Sequence, residues 1–323
     1  MKNQSNPQNN LSLKYKVLAS CTGLLAAILI APFSISAQTA TTTAQVSTST
    51  VALPSTPFIA PKIEAGSAVI YDPTSKTFIY EKNGEQVRSI ASLTKILTAM
   101  IAKDIVNQQK FPTKIITLKT IIQETKADRE LKVGEQWTLD ELLRFMLTTS
   151  SNTGAETIGS QIIPYSSFIS MMNFKAKNLG LTTIKANNTS GLPIYKTIQK
   201  KITETPGAVG SAKDVALLMS NAYASYPELV TYTTNYQTTF TSILNGKAIL
   251  HIATSTNELL TTVPNIVGGK TGFTEASGGN LTVIIATPNQ RPVIIVVLGS
   301  TVDGRFKDVT ALASSTWDFF TVK

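Results

Sequence analysis

The sequence predicts an α+β fold: an antiparallel sheet formed from both ends of the folded region, flanked by helices, with a helical insertion lobe between its halves. Three observations carry that reading. A strand–turn–strand pattern stands near residue 70, helical periodicity fills the middle, and two β-branched runs stand near residue 290. In order, Ala68–Tyr71 and Thr77–Tyr80 are strand-like runs joined by Asp72-Pro73-Thr74-Ser75-Lys76, whose Asp, Pro and Ser favour a turn. From Ser92 the apolar residues Leu93, Ile96, Leu97, Met100, Ile101 and Ile105 recur at the helical period and form one stripe. A second helix opens at Thr138, an N-cap with Glu141 three residues on. Further helices are predicted over 166–178, stopped by Leu179-Gly180, and over 211–223. The β-branched runs 281–286 and 293–298 flank the turn Thr287-Pro288-Asn289-Gln290, and a last helix spans 305–319.

Composition removes whole chemistries. The 323 residues are 42% hydrophobic and 15% charged, which excludes disorder for most of the chain. One cysteine, Cys21, makes an internal disulfide impossible, and one histidine, His251, leaves no His/Cys metal site to build. A nucleophile here must find a base other than histidine, and His251 reads as a structural imidazole.

The amino terminus reads as an address. Lys2, Lys14 and Lys16 precede an apolar run from Val17 to Ala31, followed by Pro32 and the small residues up to Ala37. That order describes a signal peptide or an N-terminal signal anchor over residues 1–37. The 17 residues from Val17 to Phe33 lie at the short edge of a bilayer span, so cleavage and membrane attachment through residues 17–37 both stay open. Leu18-Ala19-Ser20-Cys21 is no lipobox, because Lys16 interrupts the apolar run that would have to precede the cysteine. Residues 38–60 read as a flexible Ser/Thr-rich linker, and the folded domain is placed at 61–323. Removing residues 1–37 takes away three lysines and no acid, which lowers the formal charge from +9 to +6. That balance suits a polyanionic wall or membrane surface and equally well suits ordinary solubility, and no basic–aromatic patch supports nucleic acid.

Three short motifs carry the chemistry. Ser92-Leu93-Thr94-Lys95 puts a hydroxyl and an amine on one helix face, where a neutral lysine can deprotonate the serine. Ser150-Ser151-Asn152 can pass a proton and hold a substrate carbonyl, although Ser255-Thr256-Asn257 repeats the pattern as a decoy. Lys270-Thr271-Gly272 occurs once, on or beside an edge strand, and offers a cation, a hydroxyl and close backbone approach. Singly each is weak. In this order, with these placements, they match the penicillin-recognising serine enzymes.

The chain resembles the D-alanyl-D-alanine carboxypeptidases, the low-molecular-mass penicillin-binding proteins, across most of residues 66–310. The likeness includes Ile90–Lys95, Val133-Gly134-Glu135 before Leu142-Leu143, Met172-Asn173 through Gly180, Ser190-Gly191-Leu192 and Gly269–Gly272. The resemblance implies a β-lactamase/transpeptidase-like fold. It implies removal of the terminal D-Ala from peptidoglycan stem peptides ending in D-Ala-D-Ala, in the bacterial envelope, with β-lactam antibiotics as covalent inhibitors and no cofactor or metal. Carried over by motif position, Ser92 is the nucleophile, Lys95 its base, Ser150 a proton relay and Asn152 a substrate ligand that steadies Lys95. Lys270 and Thr271 would take the substrate carboxylate, with Lys270 also favouring a neutral Lys95. Gly272 would admit substrate backbone, and the Ser92 and Phe273 N–H groups would form the oxyanion hole. Thr153 departs from the Asp common after the Ser-x-Asn motif.

Three rivals use the same residues. A class A β-lactamase needs a Glu within Glu-x-x-Leu-Asn, and no Glu after residue 63 fits. A D,D-endopeptidase that cuts cross-links between stems fits the motifs equally. A non-catalytic sensor of wall peptides or penicillin has no use for an activated serine.

Overall fold

The computed structural model describes residues 53–109, 114–198 and 201–321. The segment read as signal or anchor, 1–37, lies outside the described residues, as do positions 38–52 of the linker. No described helix is long and apolar enough to cross a membrane.

The described chain opens with the hairpin β1 (Ser67–Asp72) and β2 (Thr77–Lys82), then the short β3 (Arg88–Ser89). A 3-10 turn, Ala91–Leu93, runs into α1 (Thr94–Gln109). β4 (Ile115–Thr117) and β5 (Gln136–Thr138) precede α2 (Leu139–Thr149), α3 (Asn152–Gln161) and α4 (Tyr165–Asn178). β6 (Lys185–Ala186), the hairpin β7 (Ile194–Ile198) and β8 (Lys201–Thr205), and β9 (Ala208–Gly210) lead to α5 (Ala212–Ser225) and α6 (Pro227–Thr231). A further hairpin, β10 (Gln237–Leu244) and β11 (Lys247–Thr254), comes before a 3-10 turn at Glu258–Thr261. The chain then forms β12 (Ile266–Thr274), β13 (Gly278–Ala286), β14 (Pro292–Ser300) and α7 (Gly304–Thr321).

The main sheet runs β12-β13-β14-β1-β2, all antiparallel, and joins the two ends of the described chain where Ser67 of β1 faces Leu298 of β14. Its central strands read as unbroken apolar runs because both faces are covered. On β14, Ile294, Val296 and Leu298 join the core built with α1 and α5, while Val293, Ile295 and Val297 pack with Phe306, Val309 and Leu312 of α7. Each of these side chains, fully buried, contributes about 1.5–3 kcal/mol. Phe58 packs its ring on Tyr80 and Phe319, ahead of the sheet.

Two features differ from the sequence reading. The stripe on α1 is not one-sided: Thr94 through Ala102 are all buried, because α2, α3, α4 and α5 all pack against α1. The insertion is also not purely helical, since it contains a four-stranded sheet in the order β11-β10-β5-β4. The α2 start is as read: the Thr138 side chain accepts from Glu141 N at 3.2 Å. The Glu141 carboxylate turns away from the cap and binds Arg144 and Thr241 N instead.

Candidate active site

Three pieces of backbone converge on one cleft. The 3-10 turn before α1 delivers Ser92, and α1 itself then carries Lys95. The α2–α3 junction carries Ser150 and Asn152, and the edge strand β12 carries Lys270 through Phe273. Ser92, Ser150, Asn152, Thr271, Gly272 and Phe273 line a cleft of about 570 Å³, and Lys95 and Lys270 lie beneath its floor, 0% and 2% exposed. All eight sequence-predicted residues therefore meet.

Backbone strain sits at the site. Ala91, next to Ser92, has φ +46°, and Ser150 has φ +61°; both are non-glycine residues in the left-handed region. Gly191 (φ +82°) crosses directly over this turn, where a Cβ would overlap the Ala91 carbonyl oxygen. At Gly272 a Cβ would stand 2.9 Å from Ile90 O and 3.3 Å from Ser92 N, so β12 can lie against the Ser92 turn only as glycine.

Lys95 Nζ lies 2.8 Å from Ser92 Oγ, 2.8 Å from Asn152 Oδ1 and 2.7 Å from the Ser190 carbonyl. Burial lowers its pKa to about 7, opposed by the carboxylates of Asp128 and Glu156. Lys270 Nζ donates to Ser150 Oγ at 2.8 Å and to its neighbour's carbonyl, Thr271 O, at 2.9 Å. Its pKa is pushed well below the usual ammonium value by burial first, then by Lys95 and Arg305. Loss of hydration is thus the main cause for both amines. Two amines buried side by side each disfavour the other's charge, so the pair is poised to carry less than two positive charges.

Several contributing residues carry no motif. Asp128, buried in a 3-10 turn, accepts the Ser151 hydroxyl and, at 2.9 Å, the Asn152 N–H, fixing the Ser150–Asn152 loop. Glu156 accepts the Ser190 hydroxyl at 2.7 Å and the Tyr165 hydroxyl at 2.6 Å, one residue-length behind Lys95. Thr153 accepts the Ile122 N–H at 2.9 Å, tying the loop before Asp128 to α3. Arg305, from the first turn of α7, also lines the cleft and donates to Gly272 O at 3.0 Å. Isolated Asp, Glu and Arg residues give no sequence signal; only Ser190 falls in a stretch that the resemblance singled out.

His251 lies outside this site. Its Nε2 is 3.1 Å from both Glu135 Oε2 and Ser242 Oγ, and its ring stacks on Trp137 beneath the β10–β11 hairpin.

A helix-start serine beside a buried lysine, faced by Lys-Thr-Gly on the edge strand of such a sheet, defines the penicillin-recognising class of serine enzymes. Residues 54–302 match the sequence family described as D-alanyl-D-alanine carboxypeptidase, and the chain belongs to that family. It is 28% identical over 252 residues to the D-alanyl-D-alanine carboxypeptidase DacF of Bacillus subtilis (strain 168), covering 77% of this chain and 61% of that one. It is 27% identical over 290 residues to the D-alanyl-D-alanine endopeptidase of Escherichia coli (strain K12), covering 88% and 83%. The chain thus spans about three fifths of the carboxypeptidase's length but most of the endopeptidase's. Among solved structures it is similar to penicillin-binding protein D2 from Listeria monocytogenes in its ampicillin-bound form. That likeness has TM-score 0.67 at 27% identity, covering 80% of this chain and 98% of that one.

Proposed function

We propose that the protein is a serine-type D-alanyl-D-alanine carboxypeptidase that acts through an acyl-enzyme on Ser92 and is inhibited by β-lactams. The observation that carries it is the 2.8 Å contact between Ser92 Oγ and the amine of Lys95, which at a pKa of about 7 is largely neutral in mildly alkaline solution. Ser92 Oγ attacks the carbonyl of the penultimate D-Ala while its proton passes to Lys95 Nζ. The tetrahedral oxyanion rests on the N–H groups of Ser92 and Phe273, donors worth about 3 kcal/mol each. As the C–N bond breaks, the proton taken up by Lys95 passes through Ser150, which Lys270 holds in place, to the departing D-Ala amine, and Lys95 is neutral again. Water then attacks the ester, giving its proton to Lys95, which returns it to Ser92 Oγ as the acyl group leaves as a carboxylate. Thr271 and Lys270 receive the substrate carboxylate.

In this reading residues 1–37 export the chain or anchor it in the membrane, residues 38–60 tether it, and residues 61–323 work on stem peptides outside the cytoplasm. The family match and the β-lactam-bound structural relative support the substrate class. A second reading, D,D-endopeptidase, is favoured by the longer span shared with the E. coli endopeptidase. Mass spectrometry of the protein acting on a mixture of pentapeptide monomers and cross-linked dimers decides. Loss of one alanine from monomers is expected, dimer splitting assigns the endopeptidase, and no change in either refutes both. Ser92→Ala is expected to abolish covalent penicillin labelling while leaving the fold intact.

A further inference from the structure

The second Ser-x-Asn, Ser255-Thr256-Asn257, is a motif that the proposed mechanism leaves unused. Its outer members are buried and hold backbone. Ser255 Oγ accepts the Asn257 N–H at 3.2 Å, and Asn257 Oδ1 accepts the Leu259 N–H at 3.3 Å, capping the 3-10 turn. The Ser255 N–H donates to Tyr236 O at 2.6 Å, and the Thr256 N–H to Thr148 O at 3.2 Å, two residues before Ser150. Locked at both ends, this tripeptide presents only its middle side chain to the cleft, and Thr256 Oγ1 stands 2.5 Å from Thr271 Oγ1.

Two hydroxyls at that separation share one proton between them and keep one free. Neither has another hydrogen-bond partner among the described residues, so the free proton is available to the cleft. The guanidinium of Arg305 lines the same cleft, where its Nη1 donates to Gly272 O at 3.0 Å and its charge favours an anion. A carboxylate, which only accepts, matches this donor set, and bonds to a charged acceptor are about twice as strong as neutral ones. A chain of two hydroxyls also polarises its terminal proton more than one hydroxyl does alone.

We propose that Thr256 is a specificity-determining residue, forming with Thr271 a paired-hydroxyl donor that recognises the free C-terminal carboxylate of the substrate or of a β-lactam. This inference rests on the penicillin-recognising reading of the site. Its consequence is selectivity for ligands whose carboxylate is unblocked. Thr256→Val keeps the β-branched shape and removes the hydroxyl; Thr256→Ser restores it.

The experiment measures second-order acylation of the full chain by benzylpenicillin and by its methyl ester, using intact-protein mass spectrometry. Melting temperatures of each variant are recorded alongside. Removal of one hydrogen bond to a charged group is expected to slow benzylpenicillin acylation of Thr256→Val by about tenfold. Acylation by the ester should change by less than about twofold, and Thr256→Ser should regain most of the loss. Equal loss on acid and ester, or no loss on the acid, overturns the inference and makes Thr256 a packing residue. Failure of the unaltered chain to be acylated by benzylpenicillin is a separate result, which overturns the function proposed above and this inference with it.

Discussion

Glu156→Gln should make the serine more reactive in acid. The Glu156 carboxylate touches the Ser190 hydroxyl, and the Ser190 carbonyl touches Lys95 Nζ. Through that bridge the two charges lie roughly 7 Å apart, which at an effective dielectric of about 20–40 gives about 1–2 kcal/mol of attraction. One pKa unit corresponds to about 1.4 kcal/mol, so removing the carboxylate should lower the Lys95 pKa by about one unit from its value of about 7. In the proposed mechanism Lys95 acts as a base only when neutral, so labelling of Ser92 should rise with pH through about 7 in the unaltered protein. In the variant that rise should move to lower pH. Near pH 6 about a tenth of the unaltered protein carries neutral Lys95, against about half of the variant, a gain of about fivefold. Glutamine suits the test because both partners of Glu156 are hydroxyls, which rotate to accept as well as donate. Asp128 pulls on Lys95 in the same direction but also accepts the backbone N–H of Asn152, which cannot rotate. The assay is the rate of covalent labelling by a fluorescent penicillin between pH 5 and 9. An inflection that stays in place or moves upward, in a variant with unchanged melting temperature, refutes the electrostatic account of Lys95.

Three further outcomes follow from the same geometry. Gly191→Ala places a side chain at φ +82° against the Ala91 carbonyl; it should reduce penicillin labelling by at least about tenfold and lower thermal stability, because the turn holding Ser92 must shift. Asp128→Ala leaves the Ser151 hydroxyl and Asn152 N–H without their buried acceptor and should cost about 1–3 kcal/mol in denaturant unfolding, with slower acylation in parallel. Arg291→Ala strands the buried Asp72 carboxylate, whose pKa the arginine and neighbouring donors hold below the usual range against the opposing effect of burial. A loss of about 3–5 kcal/mol is expected near neutral pH, with little change in labelling rate per folded molecule. In the unaltered protein the Asp72 contribution is present above the ordinary carboxylate pKa and fades as pH falls through the lowered one, so the penalty of the variant should shrink in acid.

How far the sequence could be read depended on which interactions leave a local trace. The main sheet was legible because β13 and β14 are covered on both faces and so are apolar at nearly every position. The β10–β11 hairpin was not. Its inward positions include Ser242 and His251 beside Phe240 and Ala253, while Leu250 and Ile252 point outward, so the alternation carries no clear inside and outside. The candidate site residues could be found because serine, lysine and glycine occur at short fixed spacings set by one helical turn or one strand. Their supports could not, since Asp128 and Glu156 reach the site from separate turns and helices. Thr256 shows the opposite case: a motif was visible, but only the fold distinguishes its buried outer residues from the one that faces the cleft.

The pairing of β1 with β14 also bears on the order in which the fold can be completed. Ser67 and Leu298 are neighbours in space but are made more than two hundred residues apart. A growing chain therefore contains Ser92 and Lys95 long before β12, which walls the far side of their cleft, has been made. Closing so long a loop is an entropic cost recovered only when β12, β13 and β14 arrive together. Until then Lys270 and the backbone of β12 are missing from the cleft. The cleft is thus completed late, when β12 brings Lys270 and Thr271 to the residues made long before them.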